Sequence, residues 1–369
     1  MLQFYRYLGG YGMALNEEQH STSSSALVAE LANYGVAATV RTALTSILDT
    51  APGAMLYRFN PAYLAEELGL SRRAGLQLMA AAVRVGLFDL NWEARCIYCG
   101  YQAHAFDKLT QAHSQQYCAM CRDNFPAKLD EGIHVTFTVA AQVRSLPAGI
   151  DNDTWREAID QRLGVTTSHE LLTVQAFRDL FIDEPLPDGE SFQIKWAALM
   201  FTDLGGSTAL YARKGDPRAY SLVREHFNIL FAVVDQAGGA VVKTIGDAIM
   251  AVFVDGAAAV KAGQNALAAI EQFNIDRELG DDERLTLKVG VHAGPTLAVT
   301  LNDRLDYFGT TVNAAARVQS SANYAELVVT QQVLEAPGVA EILPSDLANE
   351  TLILRGLDDL PFNVVRFHN

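Results

Sequence analysis

The sequence predicts an α+β protein, a C-terminal α/β sandwich preceded by a helical and cysteine-bearing region. Three observations carry this. Beyond residue 195, apolar β-rich runs alternate with helical stretches as strand, helix, hairpin, helix, strand and helix, an order that lays helices on a sheet. Residues 53–90 read instead as helix, tight turn, helix, strand. All four cysteines lie between these regions, in two Cys-x-x-Cys knuckles.

The chain has 369 residues, half of them hydrophobic, enough for two or three domains with cores of their own. No apolar run approaches the ~18–20 residues that cross a bilayer, and the N-terminus lacks a signal-peptide pattern. A soluble, cytoplasmic protein without a membrane partner is expected. The net charge is −15 and uneven: residues 1–140 carry 10 Lys and Arg against 12 Asp and Glu, and residues 141–369 carry 18 against 31. Bulk charge therefore argues against nonspecific nucleic-acid binding, most of all by the C-terminal part.

Residues 1–52 form an N-terminal helical segment. The first twenty are aromatic and Gly-rich without a motif, and Leu27, Leu31, Tyr34 and Val36 then suggest one or two helices. In residues 53–90, Pro61 suits a first helical position, Leu64 and Leu68 give a face, and Gly69 breaks the helix. Ser71 caps a second helix with Leu76, Met79, Ala80 and Val83 on one side; Gly86 ends it before a strand at 87–90. This arrangement is winged-helix-like. DNA recognition would use Arg72, Arg73 and Arg84, but so few basic residues favour a packing or dimerisation module.

Residues 91–140 are expected to be a zinc ribbon. Cys96-x-x-Cys99 and Cys118-x-x-Cys121 each supply two thiolates to one tetrahedral Zn²⁺, and four thiolates close the site, which makes it structural. His104 and His113 lie between the knuckles but find no vacancy there. A strand at 134–139 closes the unit. Residues 141–194 hold a helix at 171–181 and an acidic Pro/Gly stretch at 183–190 that reads as a linker.

The last unit spans residues 195–369. An apolar strand at 197–201 runs into Asp203, then Leu204, Gly205, Gly206, Ser207 and Thr208 ahead of a helical pattern. A carboxylate beside free backbone N–H groups suits a metal-bound polyphosphate. Asp216-Pro217 starts a long helix with Tyr220, Val223, Phe227, Leu230 and Val234 inward, ended by Gly238-Gly239. Residues 240–253 form a hairpin with Gly246-Asp247 at its tip. A helix at 256–273, a strand at 285–291 and a helix at 309–318 carrying Asn313 and Arg317 complete the order. Asp203 and Asp247 each end a strand, so adjacent strands bring them together as a site for one or two Mg²⁺ ions.

Three motifs in order, Phe-Thr-Asp203-Leu-Gly-Gly-Ser-Thr, Lys243-Thr-Ile-Gly-Asp247-Ala and Asp306-Tyr-Phe-Gly309-Thr-Thr-Val-Asn313-Ala-Ala-Ala-Arg317, resemble the class III nucleotidyl cyclase catalytic domain, a ferredoxin-like-derived α/β sandwich. The N-terminal half resembles, more loosely, the helical and zinc-ribbon region fused to some bacterial cyclases. The resemblance implies that Asp203 and Asp247 bind two Mg²⁺ or Mn²⁺ ions, with Leu204 to Thr208 on the phosphates. Lys243 and Asp306 would read the base, selecting ATP; Asn313 would orient the ribose; Arg317 would stabilise the transition state. Arg355 falls where the family often has a Lys on the triphosphate, a looser match. Gly205 departs from the larger residue usual there and should slightly loosen the phosphate loop. The family builds its sites across a head-to-tail dimer, so a homodimeric adenylate cyclase making 3′,5′-cyclic AMP and pyrophosphate is expected. The rivals are a cyclase making cyclic UMP or GMP, and a DNA-binding regulator that senses nucleotide.

Overall fold

The computed structural model describes residues 24–182, 186–206, 216–344, 346–354 and 361–368. The first helices are α1 (Ser24–Glu30) and α2 (Ala38–Thr50), joined through a 3₁₀ turn at Leu31–Tyr34 that Gly35 ends at φ +75°. Next come α3 (Pro61–Glu67) and α4 (Arg72–Arg84). Asn60 caps α3 by accepting from the Ala62 N–H, with Pro61 in the first turn, and Ser71 caps α4 by accepting from the Ala74 N–H.

The strand after α4 is longer than expected, β1 (Phe88–Arg95), and it is the middle of a three-stranded sheet between β2 (Gln102–Phe106) and β5 (Ile133–Val139). A separate ladder pairs β3 (Gln115–Cys118) with β4 (Asp123–Pro126). In the three-stranded sheet, Glu93 is fully buried and is paired by Arg156 at 3.3 Å and Arg95 at 3.0 Å. A buried carboxylate is tolerated only with such partners.

Residues 141–182 are more regular than their sequence suggested. α5 (Asp153–Leu163) is capped by Asn152. The single helix expected at 171–181 is instead two, α6 (Ser168–Leu172) and α7 (Gln175–Leu180). Thr167 and Glu170 make a capping box that starts α6 early. Thr173 and Val174 then break the run, and both are buried. Of the acidic stretch expected as a linker, 183–185 lie outside the described residues. Leu186 is buried, and the Glu190 carboxylate holds the Ser114 N–H at 3.1 Å.

The eight-stranded sheet is built on two long strands, β6 (Phe192–Gly205) and β9 (Thr286–Leu301). Residues 197–201 of β6 are all buried, as a strand covered on both faces should be. The order is β12-β13-β11-β9-β6-β8-β7, with β10 (Arg304–Phe308) paired to the far end of β9. Here β7 is Ala240–Ile245, β8 Ala248–Phe253, β11 Glu326–Thr330, β12 Asn349–Ile353 and β13 Pro361–His368. The strand expected at 285–291 therefore continues ten residues further and turns back into β10. Asn302 and Asp303 make that turn at φ +51° and +58°. An Asn-Asp pair with both φ positive is a type I′ hairpin turn.

One face of the sheet carries α8 (Asp216–Ala237) and α9 (Gly256–Asp276), the latter capped by Asp255. Val223, Leu230 and Val234 point inward as expected and Phe227 is half-buried, but Tyr220 is exposed. The other face packs α10 (Thr310–Ser320) and the N-terminal half. Gly290 in β9 lets α10 come close: a Cβ there would lie 2.3 Å from the Gln319 nitrogen. The short helix α11 (Gln331–Leu334) follows β11.

The core on this second face runs without a break from Leu31 and Leu64 through Trp92 and Phe177 to Phe201 and Tyr307. Arg72 and Arg73, candidates for touching DNA, are spent on this packing. Arg72 donates to both Glu170 carboxylate oxygens and to the Leu163 carbonyl. Arg73 donates to the carbonyls of Gly238 (2.7 Å), Gly239 (2.8 Å) and Thr173 (3.2 Å) and to the Asp235 carboxylate (3.1 Å). Through Arg73, α4 thus grips the end of α8 and the turn into β7.

Candidate functional site

The β6–β8 pairing brings the two carboxylates together. Phe201 lies opposite Met250, so the register continued two residues sets Asp203 beside the start of β8, next to Asp247 in the hairpin turn. The Thr202 hydroxyl locks this register by accepting the Ile249 N–H at 3.3 Å. Gly246 takes φ +64° and Asp247 keeps negative φ, the pattern of a type II′ turn, which demands glycine at its first position.

Burial raises the Asp203 pKa, and the neighbouring Asp247 charge raises it further, while Lys288 across the β6–β9 ladder lowers it. Asp247 Oδ2 is buried with no hydrogen-bond partner among the described residues. Two adjacent carboxylates, one with an orphaned buried oxygen, fit divalent cations: a hard cation removes the repulsion and satisfies that oxygen. Sequence reasoning missed Lys288, which pattern alone left as one more charge on a strand.

The stretch after Asp203 is described as far as Gly206. Leu204 is buried, Gly206 has φ +76°, and Ser207 and Thr208 lie outside the described residues. The space above Gly205 is not open. A Cβ there would sit 2.3 Å from the Tyr324 ring, which lies over the strand and has Lys288 Nζ 4.8 Å from its centroid. Glycine at this position admits the ring, a different consequence from the looser loop expected. Arg355 also lies outside the described residues.

A second group forms where β7 meets β10. Lys243 Nζ bonds Asp306 Oδ2 at 2.6 Å, and Asp306 Oδ1 accepts the Tyr307 N–H at 2.8 Å. Asp306 is buried and Lys243 half-buried, with Phe308 beside the ammonium at 5.9 Å. A fixed donor next to a fixed acceptor is the arrangement that reads one edge of a planar heterocycle. Asn313 and Arg317 follow on α10, one turn apart and both exposed. Among the described residues no hydrogen bond or ion pair joins the Lys243–Asp306 pair, Asn313 or Arg317 to the Asp203–Asp247 pair.

The four cysteines converge as their spacing predicts. Their sulfurs all lie within 4.8 Å of one another; Cys96 and Cys121 are 3.8 Å apart, and Cys99 and Cys118 are 3.6 Å apart. A tetrahedron with Zn–S of ~2.3 Å has edges of about 3.8 Å, so the donor set fits zinc. Neither histidine joins it: His113 bonds Glu190 at 3.4 Å, and His104 stacks on Phe106.

Residues 190–341 match the family model described as the adenylate and guanylate cyclase catalytic domain, and residues 22–152 match a family of unknown function, DUF5939. An adenylate cyclase of Anabaena cylindrica is 25% identical over 44% of this chain and 34% of its own length. Rat atrial natriuretic peptide receptor 2 is 30% identical over 42% of this chain and 16% of its own length. The chain thus spans about a third or less of these curated relatives. The crystal structure of the adenylyl cyclase CyaB from P. aeruginosa aligns with 49% of this chain and 96% of its own, at 18% identity and a TM-score of 0.41. No helix among the described residues is long and apolar enough to cross a membrane.

Proposed function

We propose that this chain, whose C-terminal half is an adenylate/guanylate cyclase catalytic domain, converts ATP to 3′,5′-cyclic AMP and pyrophosphate at sites shared by two copies of the chain. The observation that carries cyclase chemistry is the Asp203–Asp247 pair, two facing carboxylates with a buried oxygen that nothing in the chain satisfies. Two Mg²⁺ or Mn²⁺ ions held there would supply the charge that activates a ribose 3′-hydroxyl and neutralises phosphate oxygens.

The chain's own groups do the rest. Backbone N–H groups from Leu204 to Gly206, with Ser207 and Thr208, cradle the phosphates. Lys243 donates to adenine N1 and Asp306 accepts from the 6-amino group. Guanine presents the reverse pattern at that edge, so the same pair disfavours GTP by about 1–3 kcal/mol for each mispaired group. This supports ATP over the GTP suggested by relatives such as rat guanylate cyclase 2G. Asn313 orients the ribose, Arg317 stabilises charge growing at the α-phosphate, and Arg355 reaches the triphosphate. The sulfur tetrahedron of Cys96, Cys99, Cys118 and Cys121 holds a structural Zn²⁺ that ties the ends of its segment together.

The resemblance to class III cyclases, which build each site across a head-to-tail dimer, supports a shared site: each would take Asp203 and Asp247 from one copy and Lys243, Asp306, Asn313 and Arg317 from the other. The test is complementation. Asp203→Asn and Arg317→Ala are each inactive alone. Mixed and allowed to exchange, they rebuild one intact site in each mixed dimer and recover about a quarter of wild-type activity. No recovery, with exchange shown by mass, would contradict a shared site.

A further inference from the structure

Lys243 and Asp306 stand on strands that do not pair with each other. Among the described residues, β7 pairs only with β8 and β10 only with β9, and in the sheet β8 and β6 lie between β7 and β9. The 2.6 Å bond from Lys243 Nζ to Asp306 Oδ2 therefore draws no support from a shared ladder.

β7 is also irregular. Val241 lies opposite Ala251 and Lys243 opposite Met250, so Val242 is an extra residue, a β-bulge. The bulge decides which way Lys243 faces. Met250 packs in the core shared with the N-terminal half, while Ile249 and Ala251 pack in the core under α8 and α9. In an unbulged strand Lys243 would fall opposite Ile249, and its ammonium would turn to that other face, away from Asp306.

One short helix holds both strands. Gln175, the first residue of α7, accepts the Val241 N–H on Oε1 at 2.7 Å, where the register shifts. Its Nε2 donates to Asp179 Oδ1, one turn on, at 2.8 Å, which fixes the carboxamide. Arg178 Nη2 donates at 2.8 Å to the Leu305 carbonyl, part of the peptide group that joins Leu305 to Asp306. Between these two residues, Phe177 packs edge-on against Trp92 of β1 with centroids 6.2 Å apart, which fastens α7 to the N-terminal half.

We propose that Gln175 and Arg178 are positioning residues for the base-reading pair. Gln175 pins the bulge that aims Lys243, and Arg178 holds the peptide group before Asp306. This role rests on Lys243 and Asp306 being the groups that read the base. It makes α7, which lies outside the matched catalytic domain at 190–341, a determinant of the choice between ATP and GTP.

Two variants at a half-buried position test this. Gln175→Leu removes the acceptor. The paired exchange Gln175→Glu with Asp179→Asn keeps both hydrogen bonds, because the new carboxylate accepts from Val241 and from the new amide at 179. Titration calorimetry of the full chain with Mg²⁺ reads binding of the non-cyclisable α,β-methylene analogues of ATP and GTP. Wild type should bind the ATP analogue at least ~tenfold more tightly. Gln175→Leu should narrow that ratio to about threefold or less, and the paired exchange should restore it. A helix that served stability alone would weaken both analogues alike and leave the ratio unchanged. Hydrogen exchange on the nucleotide-free chain reads the pinning itself: amides in 240–245 should exchange at least ~tenfold faster in Gln175→Leu than in wild type or the paired exchange. An unchanged ratio in Gln175→Leu, where Lys243→Glu with Asp306→Ser loses it, would overturn this role alone. So would exchange at 240–245 that Gln175→Leu does not alter. A wild-type ratio near one would instead overturn the base reading, and this role with it.

Discussion

Replacing Arg73 by Met should loosen the grip of α4 on the cyclase half. The wild-type guanidinium, one-quarter exposed, serves four acceptors: the carbonyls of Thr173, Gly238 and Gly239 and the Asp235 carboxylate. Hydrogen bonds from a charged group are worth about 1.5–3 kcal/mol each when broken singly, but they do not add, and water reaches Asp235 once the arginine is gone. Burial lowers the Arg73 pKa against the pull of Asp235, so part of the gain already offsets desolvation. The net loss should be about 2–4 kcal/mol, with a melting temperature some 3–5 °C lower. Differential scanning calorimetry reads this, with exposed Arg84→Met as a control expected within about 0.5 kcal/mol of wild type. A shift below about 1 °C for Arg73→Met would show that these contacts do not hold the halves together.

Asp203→Asn should cut turnover by several orders of magnitude. The Asp203 pKa is raised, so the ionised form weighs on the fold at pH values above that raised value and the weight lifts as pH falls. The metal-free variant should therefore melt higher than wild type at neutral pH, and Mg²⁺ should raise the melting temperature of wild type only; a variant that melts lower, or responds to Mg²⁺ equally, refutes the pairing. Cys118→Ser should release zinc and loosen the two knuckles, whose own cluster is only Cys96, Cys118 and Phe125, while Trp92, Leu129, Val135 and Phe137 stay in the core they share with the cyclase half. Less than about half an equivalent of zinc in wild-type protein purified without chelator would count against the site. Burial depresses His169, His226 and His292 to about 4 each from 6.5. The unfolded chain then binds up to three more protons, so stability is complete above about pH 6.5 and falls towards pH 4. Urea midpoints that stay flat across that range would contradict this.

What the sequence made legible was mostly local. The Ser71 cap, the glycine tip of the hairpin and the cysteine knuckles each depend on residues a few positions apart, and each is found as read. The two strand-end carboxylates were legible because β6 and β8 pair around a turn that announces itself. The roles of Arg72 and Arg73 were not, because their partners lie some 90 to 166 positions away. Nor was the break at Thr173 and Val174, where burial beneath α4 outweighs a continuous helical pattern. Tyr220 misled for a different reason: the buried stripe of α8 runs through Ala219, Leu222, Val223, His226, Leu230 and Val234, and Tyr220 falls beside it. Lys288 and Tyr324 gained meaning only once the β6–β9 register set them beside Asp203 and Gly205.

The most direct measurement is to incubate the purified chain with each of the four nucleoside triphosphates and Mn²⁺ and identify the products by mass spectrometry, for wild type and for Lys243→Glu with Asp306→Ser. Wild type should form 3′,5′-cyclic AMP and pyrophosphate from ATP in at least ~tenfold preference to any other cyclic nucleotide, and the double variant should move that preference towards GTP. No cyclic product from any triphosphate, or ATP selectivity unchanged in the double variant, would contradict the account.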